Sequence, residues 1–473
     1  MTDLLEHLRA ALGPDGVSAD PVDRRAYGHD TFPLALKPAG EGRPAYEPDV
    51  IAFPRTAEEV ATVVRLARAA GTPVVPFGGG SGIVGGALAV RGGVMVDLKH
   101  LAAVGEIDPV SRLVAVGAGI NGQRLEDYLN ERGYTTGHYP QSLRSSTLGG
   151  WIAHRAIGTA STRYGGIEAL VAGMDVVLPT GELLRLRPSP RGSVGPDLRQ
   201  LFLGGEGTLG IVTQATLRIR PRPAARAWLV FVCLNFAAGL DAIRRTVQAE
   251  YRPAVVRLYD AEEGAHLLEA VPHAPGACLL LLSCEGEAEQ VAWESGQIRK
   301  LVVAAGAKEI GSEPAERWWA GRFNTAGLLH TLRAPLGIAD ALEVAAPWRA
   351  LPALYAAMRS DMRAALSLPD RPGAVYGHTS HAYIDGANLY MIFHGQAASP
   401  ADVAPLYGRV LDAAFQACTR HGGTLSHHHG IGLGKARWME LEYGAAGLGV
   451  LRAVQRALDP GGILNPGKIG AAP

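Results

Sequence analysis

A chain of 473 residues, 47% of them hydrophobic, is long enough to bury two full cores. Its 45 basic and 45 acidic side chains cancel, which leaves no electrostatic drive toward nucleic acid, and no apolar run reaches the roughly 18 residues that suggest a membrane span. The cysteines Cys233, Cys278, Cys284 and Cys418 lack C-x-x-C spacing, so reduced thiols and a cytoplasmic setting are expected.

The N-terminus, Met-Thr-Asp-Leu-Leu-Glu-His-Leu, starts as an amphipathic helix and not as a leader peptide, and a Pro/Gly-rich stretch (33–48) follows. Residues 49–53 and 73–77 predict two strands around a helix. Thr56 caps that helix, Glu59 reaches back, and Gly71 ends it. The second strand runs into Pro76-Phe77-Gly78-Gly79-Gly80-Ser81-Gly82, where successive N–H groups without Cβ obstruction suit a diphosphate. The continuation over 85–98 reads as turn and strand, so the helix required by a dinucleotide G-x-G-x-x-G site is missing. A P-loop fails as well, because the nearest match ends Lys468-Ile469 and lacks the magnesium ligand. By itself the glycine loop is equally compatible with an ordinary surface loop.

Strands are predicted at 94–98 and 113–116, a helix through Leu125 and Leu129, and a hairpin turning at 179–182. A strand over 210–219 closes this block before Arg-Pro-Arg-Pro (220–223). Beyond 224, alanine-rich helices alternate with apolar strands such as 278–283 and 389–393, the pattern of an antiparallel sheet backed by helices. The last fifty residues return to glycine-rich motifs, among them Ser426-His427-His428-His429-Gly430.

Four further stretches follow the glycine loop in a fixed order: Gly137-His-Tyr-Pro-Gln-Ser142, Ser146-Thr-Leu-Gly-Gly-Trp151, Arg163-Tyr-Gly-Gly166 and Gly204-Gly-Glu-Gly-Thr-Leu-Gly210. The series resembles the vanillyl-alcohol oxidase/p-cresol methylhydroxylase superfamily of FAD enzymes, from about residue 48 to the end. The resemblance implies an α+β architecture: a PCMH-type FAD-binding domain of two subdomains (48–223) and an antiparallel-sheet-and-helix substrate, or cap, domain (224–420). A helical segment (1–47) precedes them, and a C-terminal segment (421–473) completes the active site. It assigns FAD as cofactor, with Pro76, Phe77, Gly78, Gly79, Gly80, Ser81 and Gly82 at the pyrophosphate. Pro140, Gln141, Ser142, Ser146, Thr147, Gly150, His154, Arg155, Gly158, Glu206, Gly207, Thr208 and Ile211 line the rest. Ser81-Gly82 stands where covalent relatives often carry a histidine, so non-covalent FAD is expected. Glu206 reads equally as a cofactor contact or a turn cap, and His138 as a packing residue.

Within the superfamily, Ser146–Arg155, Gly195-Pro-Asp197, Val256-Arg-Leu258, Pro347-Trp348 and the histidine triplet are similar to the alkyldihydroxyacetonephosphate synthases. That branch implies Tyr390 as catalytic acid/base, helped by His427, His428 and His429, with Arg333 holding a departing carboxylate and Arg257 critical for activity. Read from its neighbours alone, Arg257 is a support or orienting residue. The implied reaction exchanges the acyl group of acyl-dihydroxyacetone phosphate for a long-chain alcohol through a flavin N5 adduct, without net oxidation. A phenol titrates near 10, so Tyr390 is expected to be depressed by nearby imidazoles and an arginine.

The competing branch is the FAD-dependent D-2-hydroxyacid dehydrogenases, whose G-H-x-G-D-G-N-x-H and E-H-G motifs hold a metal. Here Gly377-His378 and Asp385-Gly386-Ala387-Asn388 echo the first motif, Tyr390 replaces its second histidine, and His428 replaces the glutamate. These exchanges argue for no metal, while a site on His378, His381 and His428 stays open. The expected partners are a small-molecule or lipid substrate. Peripheral membrane contact and a homodimer are left open.

Overall fold

The computed structural model describes residues 2–269, 273–323, 332, 334–368, 371 and 373–470. It forms two compact units, one built from residues 1–157, 166–221 and 428–473, the other from 158–165 and 222–427.

The first unit opens with helix α1 (Thr2–Leu12), which buries Leu4, Leu8 and Leu12 at four-residue spacing. These leucines share a core with Val60, Val63, Val64 and Ala67 of α2 (Ala57–Ala69). Thr56 Oγ1 accepts the Glu59 N–H at 3.1 Å, and the Glu59 carboxylate accepts the Arg55 N–H at 2.6 Å, so the predicted cap closes at both ends. Beside the helices lies a sheet of β1 (Val17–Ser18), β2 (Val50–Ala52), β3 (Val74–Phe77) and β4 (Val94–Asp97), in the order β1-β2-β4-β3. The two strands flanking α2 therefore do not touch. Each pairs in parallel with β4, which lies between them.

The C-terminal segment joins the same sheet. Val74 N–H donates to Ile463 O and Asn465 N–H to Val74 O, both at 2.8 Å, so residues 463–465 run parallel beside β3 and its glycine loop. A second sheet contains β5 (Leu113–Gly117), β6 (Val171–Val177), β7 (Leu183–Leu186) and β8 (Ile211–Arg218), antiparallel in the order β5-β8-β6-β7. The predicted 179–182 hairpin joins β6 to β7. Helix α3 (Leu148–His154) packs against β8.

The second unit is a seven-stranded antiparallel sheet. Its strands are β9 (Ala225–Cys233), β10 (Val255–Tyr259), β11 (Cys278–Gly286), β12 (Lys308–Ile310), β13 (Gly337–Pro347), β14 (Ala374–Thr379) and β15 (Gly386–Gln396). They lie in the order β12-β9-β11-β10-β14-β15-β13. Helices α4 (Phe236–Gln248), α5 (Ala288–Ala304) and α6 (Leu351–Leu366) cover it, and α7 (Val403–Arg420) packs on α6. The short segment 158–165 belongs to this unit. Arg163 Nη1 reaches Glu294 at 3.2 Å, and Thr162 Oγ1 accepts the Ala382 N–H at 3.3 Å. No helix among the described residues is long and apolar enough to cross a membrane.

Candidate active site

In the first unit the glycine loop leaves β3 and runs against the backbone of residues 145–147. A Cβ on Gly78 would stand 2.3 Å from Thr147 Oγ1, and one on Gly79 only 1.9 Å from Ser145 O. Gly80 holds φ +62°, a left-handed turn that glycine adopts without strain. The opposing loop is braced internally. Ser142 O accepts the Ser146 hydroxyl at 2.8 Å, Trp151 Nε1 donates to Ser146 Oγ at 2.7 Å, and Thr147 Oγ1 caps α3 through Gly150 N–H at 3.4 Å. Gly207, at φ +74°, closes on Pro76, where a Cβ would come within 2.4 Å. Thr208 Oγ1 donates to Gly205 O at 2.9 Å just before Ile211 opens β8. His154 turns its Nε2 toward the loop, 3.6 Å from a Cβ on Gly82. Arg155 forms the left-handed cap of α3 at φ +52°.

The predicted cofactor residues thus gather in one unit, with two distinctions. Gln141 is exposed, and Gly158 falls in the 158–165 segment of the second unit. The gathered residues fit FAD: the cradle is one that a single added Cβ would fill. Buried polar atoms beside the motif stretches also lack protein partners, namely both ring nitrogens of His138, Nε2 of His154 and Oδ1 of Asn465.

Glu206 makes a contact that the sequence did not foresee. Its two carboxylate oxygens accept the N–H groups of Ile431 and Gly432 at 2.6 and 2.7 Å, and Asn465 Nδ2 donates to its carbonyl at 2.7 Å. The carboxylate thereby anchors the loop that follows the histidine triplet. His428 and His429 meet ring to ring at 4.5 Å in the first unit, whereas His427 belongs to the second.

In the second unit, register brings the chemistry together. His378 on β14 lies directly opposite Tyr390 on β15, and Tyr390 opposite Glu343 on β13. The His378 and Tyr390 rings stack with centroids 4.5 Å apart. Behind them, Arg257 on β10 donates from Nη2 to His378 Nε2 at 3.1 Å, and both Glu263 oxygens lie 2.9 Å from His378 Nδ1. A second set adjoins this one in sequence. His381 Nδ1 bonds Ser161 Oγ at 2.8 Å and its ring stacks on His427 at 5.4 Å, while the Tyr383 hydroxyl bonds His427 Nε2 at 2.7 Å. Asn388 fixes the turn by accepting the Ser380 and His381 N–H groups at 2.9 and 2.8 Å.

The electrostatics correct one expectation. Burial, and after it the Glu343 carboxylate, push the Tyr390 phenol well above its ordinary range. Arg257 pulls it down and Glu263 adds to the rise, so the net shift is the reverse of the predicted depression. The imidazole fails to help because it is itself neutral. Burial lowers His378, Glu263 partly offsets this, and Arg257 lowers it further. With both ring nitrogens engaged by Arg257 and Glu263, His378 is set for hydrogen bonding. Among the described residues, no three metal-ligating side chains cluster. Arg333 lies outside the described residues.

Glu263, Asp260, Glu343, Ser161 and Tyr383 escaped the sequence reading. For Asp260 and Glu263 a signal existed, since Asp-Ala-Glu-Glu after a strand is a capping-type turn. The other three acquire meaning only through strand register.

Residues 222–469 match the family described as FAD linked oxidases, C-terminal domain, and residues 48–187 match the FAD binding domain. The chain is 29% identical to alkyldihydroxyacetonephosphate synthase of Dictyostelium discoideum, over 99% of this chain and 80% of the relative. It is 30% identical to an uncharacterized FAD-linked oxidoreductase of Escherichia coli, over 87% of each. It is also 29% identical to D-2-hydroxyglutarate dehydrogenase of Xanthomonas citri, over 98% of this chain and 96% of the relative. A solved alkyldihydroxyacetonephosphate synthase superposes with a TM-score of 0.83 at 25% identity, covering 98% of this chain and 85% of that one.

Proposed function

The chain belongs to the FAD-linked oxidase family and is an FAD-dependent enzyme, and on that premise we propose that it exchanges the acyl group of acyl-dihydroxyacetone phosphate for a long-chain alcohol. The carrying observation is the Tyr390 environment. A phenol stands where the dehydrogenase motif has its second histidine, stacked on an imidazole held between Arg257 and Glu263. When bound, FAD supplies an electron-poor ring nitrogen able to take a hydride or a carbon fragment.

Residues 76–82 and 140–147 bind the cofactor. Tyr390 moves the proton: once the phenol has given its own proton to solvent, the phenolate oxygen takes the one released from the carbon beside the substrate ketone and later returns it. Burial keeps the phenol protonated at rest, so that first loss depends on Arg257, the neighbour that favours the phenolate. His427, oriented by the Tyr383 hydroxyl, holds the substrate phosphate, and Arg333 holds the departing carboxylate.

A second reading, oxidation of a D-2-hydroxyacid, draws support from the dehydrogenase relative and from the Gly377-His378 echo. Anaerobic mixing separates the two. Labelled long-chain alcohol entering acyl-dihydroxyacetone phosphate while the flavin stays yellow supports the exchange, and bleaching by D-2-hydroxyglutarate or D-lactate supports the oxidation. Under the exchange reading, Tyr390→Phe lowers turnover about 10²- to 10⁴-fold and leaves the flavin spectrum in place. Wild-type turnover in that variant removes the role assigned to the phenol.

A further inference from the structure

The turn after β10 is fixed with unusual care. Asp260 is buried; its Oδ1 accepts the Glu262 and Glu263 N–H groups at 3.1 and 2.8 Å, and its Oδ2 accepts the Gly377 N–H and the Tyr355 hydroxyl at 2.7 Å each. The outcome of those four bonds is the delivery of one carboxylate, Glu263, to one ring nitrogen, Nδ1 of His378.

The partners decide where the imidazole proton sits. A guanidinium has no acceptor, so the 3.1 Å contact from Arg257 Nη2 makes His378 Nε2 the acceptor. A carboxylate has no donor, so the 2.9 Å contacts to Glu263 make Nδ1 the protonated nitrogen. A doubly protonated ring would turn an N–H against the Arg257 N–H groups. One neutral tautomer satisfies both sides, and it is the one stacked on Tyr390.

Arg257 depends on that tautomer for its place. Its Nε is buried without a hydrogen-bond partner, and the faces of Tyr259 and Trp318 lie 5.4 and 5.1 Å from the guanidinium carbon. If the His378 proton moved to Nε2, the hydrogen bond steering Arg257 would become a repulsion. Among the described residues, other charged or titratable groups facing this site include Asp260 and Tyr259 from the β10 side, Tyr376 from β14 and Glu343 from β13.

We propose that Glu263 is a positioning residue for the reaction: by taking the Nδ1 proton of His378 it holds Nε2 as the acceptor that keeps Arg257 beside Tyr390. This rests on the reading of Tyr390 as the proton carrier.

The test uses the FAD-loaded full chain labelled with [15N]histidine, the His378 signals being identified by their loss in His378→Gln. Wild type is expected to show a protonated Nδ1 and a bare Nε2. Glu263→Ala is expected to move the proton to Nε2 and to cut turnover about 10- to 100-fold, the range for partners that orient a working histidine. Glu263→Gln, whose amide oxygen can still accept from Nδ1, is expected to restore both, with thermal melts confirming that each variant folds. A wild-type ring protonated on Nε2 overturns the proposal, as does a Glu263→Ala ring that keeps the wild-type tautomer or a shifted tautomer with unchanged turnover. Expected tautomers combined with full turnover in Tyr390→Phe would instead sink the proton-carrier reading and still support the hold of Glu263 on His378.

Discussion

Replacing Gly79 by alanine tests the cofactor cradle with one methyl group. The added Cβ would lie 1.9 Å from Ser145 O, 2.9 Å from Ser145 C and 3.1 Å from Ser146 Cα, all backbone atoms that cannot rotate aside. Ordinary contact begins near 3.4 Å, so the two loops must part by about 1.5 Å. The φ of Gly79 is not positive, so the penalty is steric and not conformational. Overpacking of this kind costs about 1–3 kcal/mol, which corresponds to about a 5- to 150-fold loss of FAD affinity if the closed cradle is the binding form. Titration of FAD into apoprotein, followed by flavin fluorescence, measures it. Gly40→Ala serves as control, because a Cβ there meets nothing within 4 Å. Wild-type affinity in Gly79→Ala would refute the idea that these loops form the cofactor seat.

Three further outcomes follow from buried polar groups. Arg163→Ala removes the cation beside the Glu294 carboxylate, whose side chain is only 7% exposed and still accepts the Arg252 N–H, and should cost about 3 kcal/mol in denaturant unfolding followed by tryptophan fluorescence; a loss below about 0.5 kcal/mol would contradict a buried ion pair. His138 is buried with both nitrogens unpartnered, and burial pushes its pKa down to about 3. The folded chain therefore excludes a proton that the unfolded chain accepts below about 6.5, so stability is full above that pH and is lost as pH falls toward 3. Urea melts at pH 8 and pH 5 should place about 2 kcal/mol of acid loss on this residue, and His138→Phe should remove it. Glu206→Ala strips the acceptors from Ile431 and Gly432, so their amide hydrogen exchange should accelerate about 10-fold or more, and unchanged protection would show that the anchor is idle.

The glycine loop was legible because its information is local. Three glycines after a strand, and a Thr56–Glu59 cap before it, specify backbone conformation within a few residues. The order of the first sheet was not, since β4 slips between β2 and β3 and residues 463–465 join from nearly four hundred residues away. Local pattern carries no record of such partners. The same holds for the chemistry. Tyr390 could be singled out by motif, but the direction of its pKa depends on how much water its neighbours exclude. Glu263 carried no mark of its role, because its partner His378 stands 115 residues further along the chain.

The strand contributed by residues 463–465 has a bearing on how the protein comes into being. Val74 spends its amide and carbonyl on Ile463 and Asn465, so the sheet bearing the glycine loop stays open at one edge until ribosomal synthesis has passed that point. The edge beside the glycine loop is thus completed only once residues 463–465 have been made, and a nascent N-terminal portion offers chaperones an unpaired edge in the meantime.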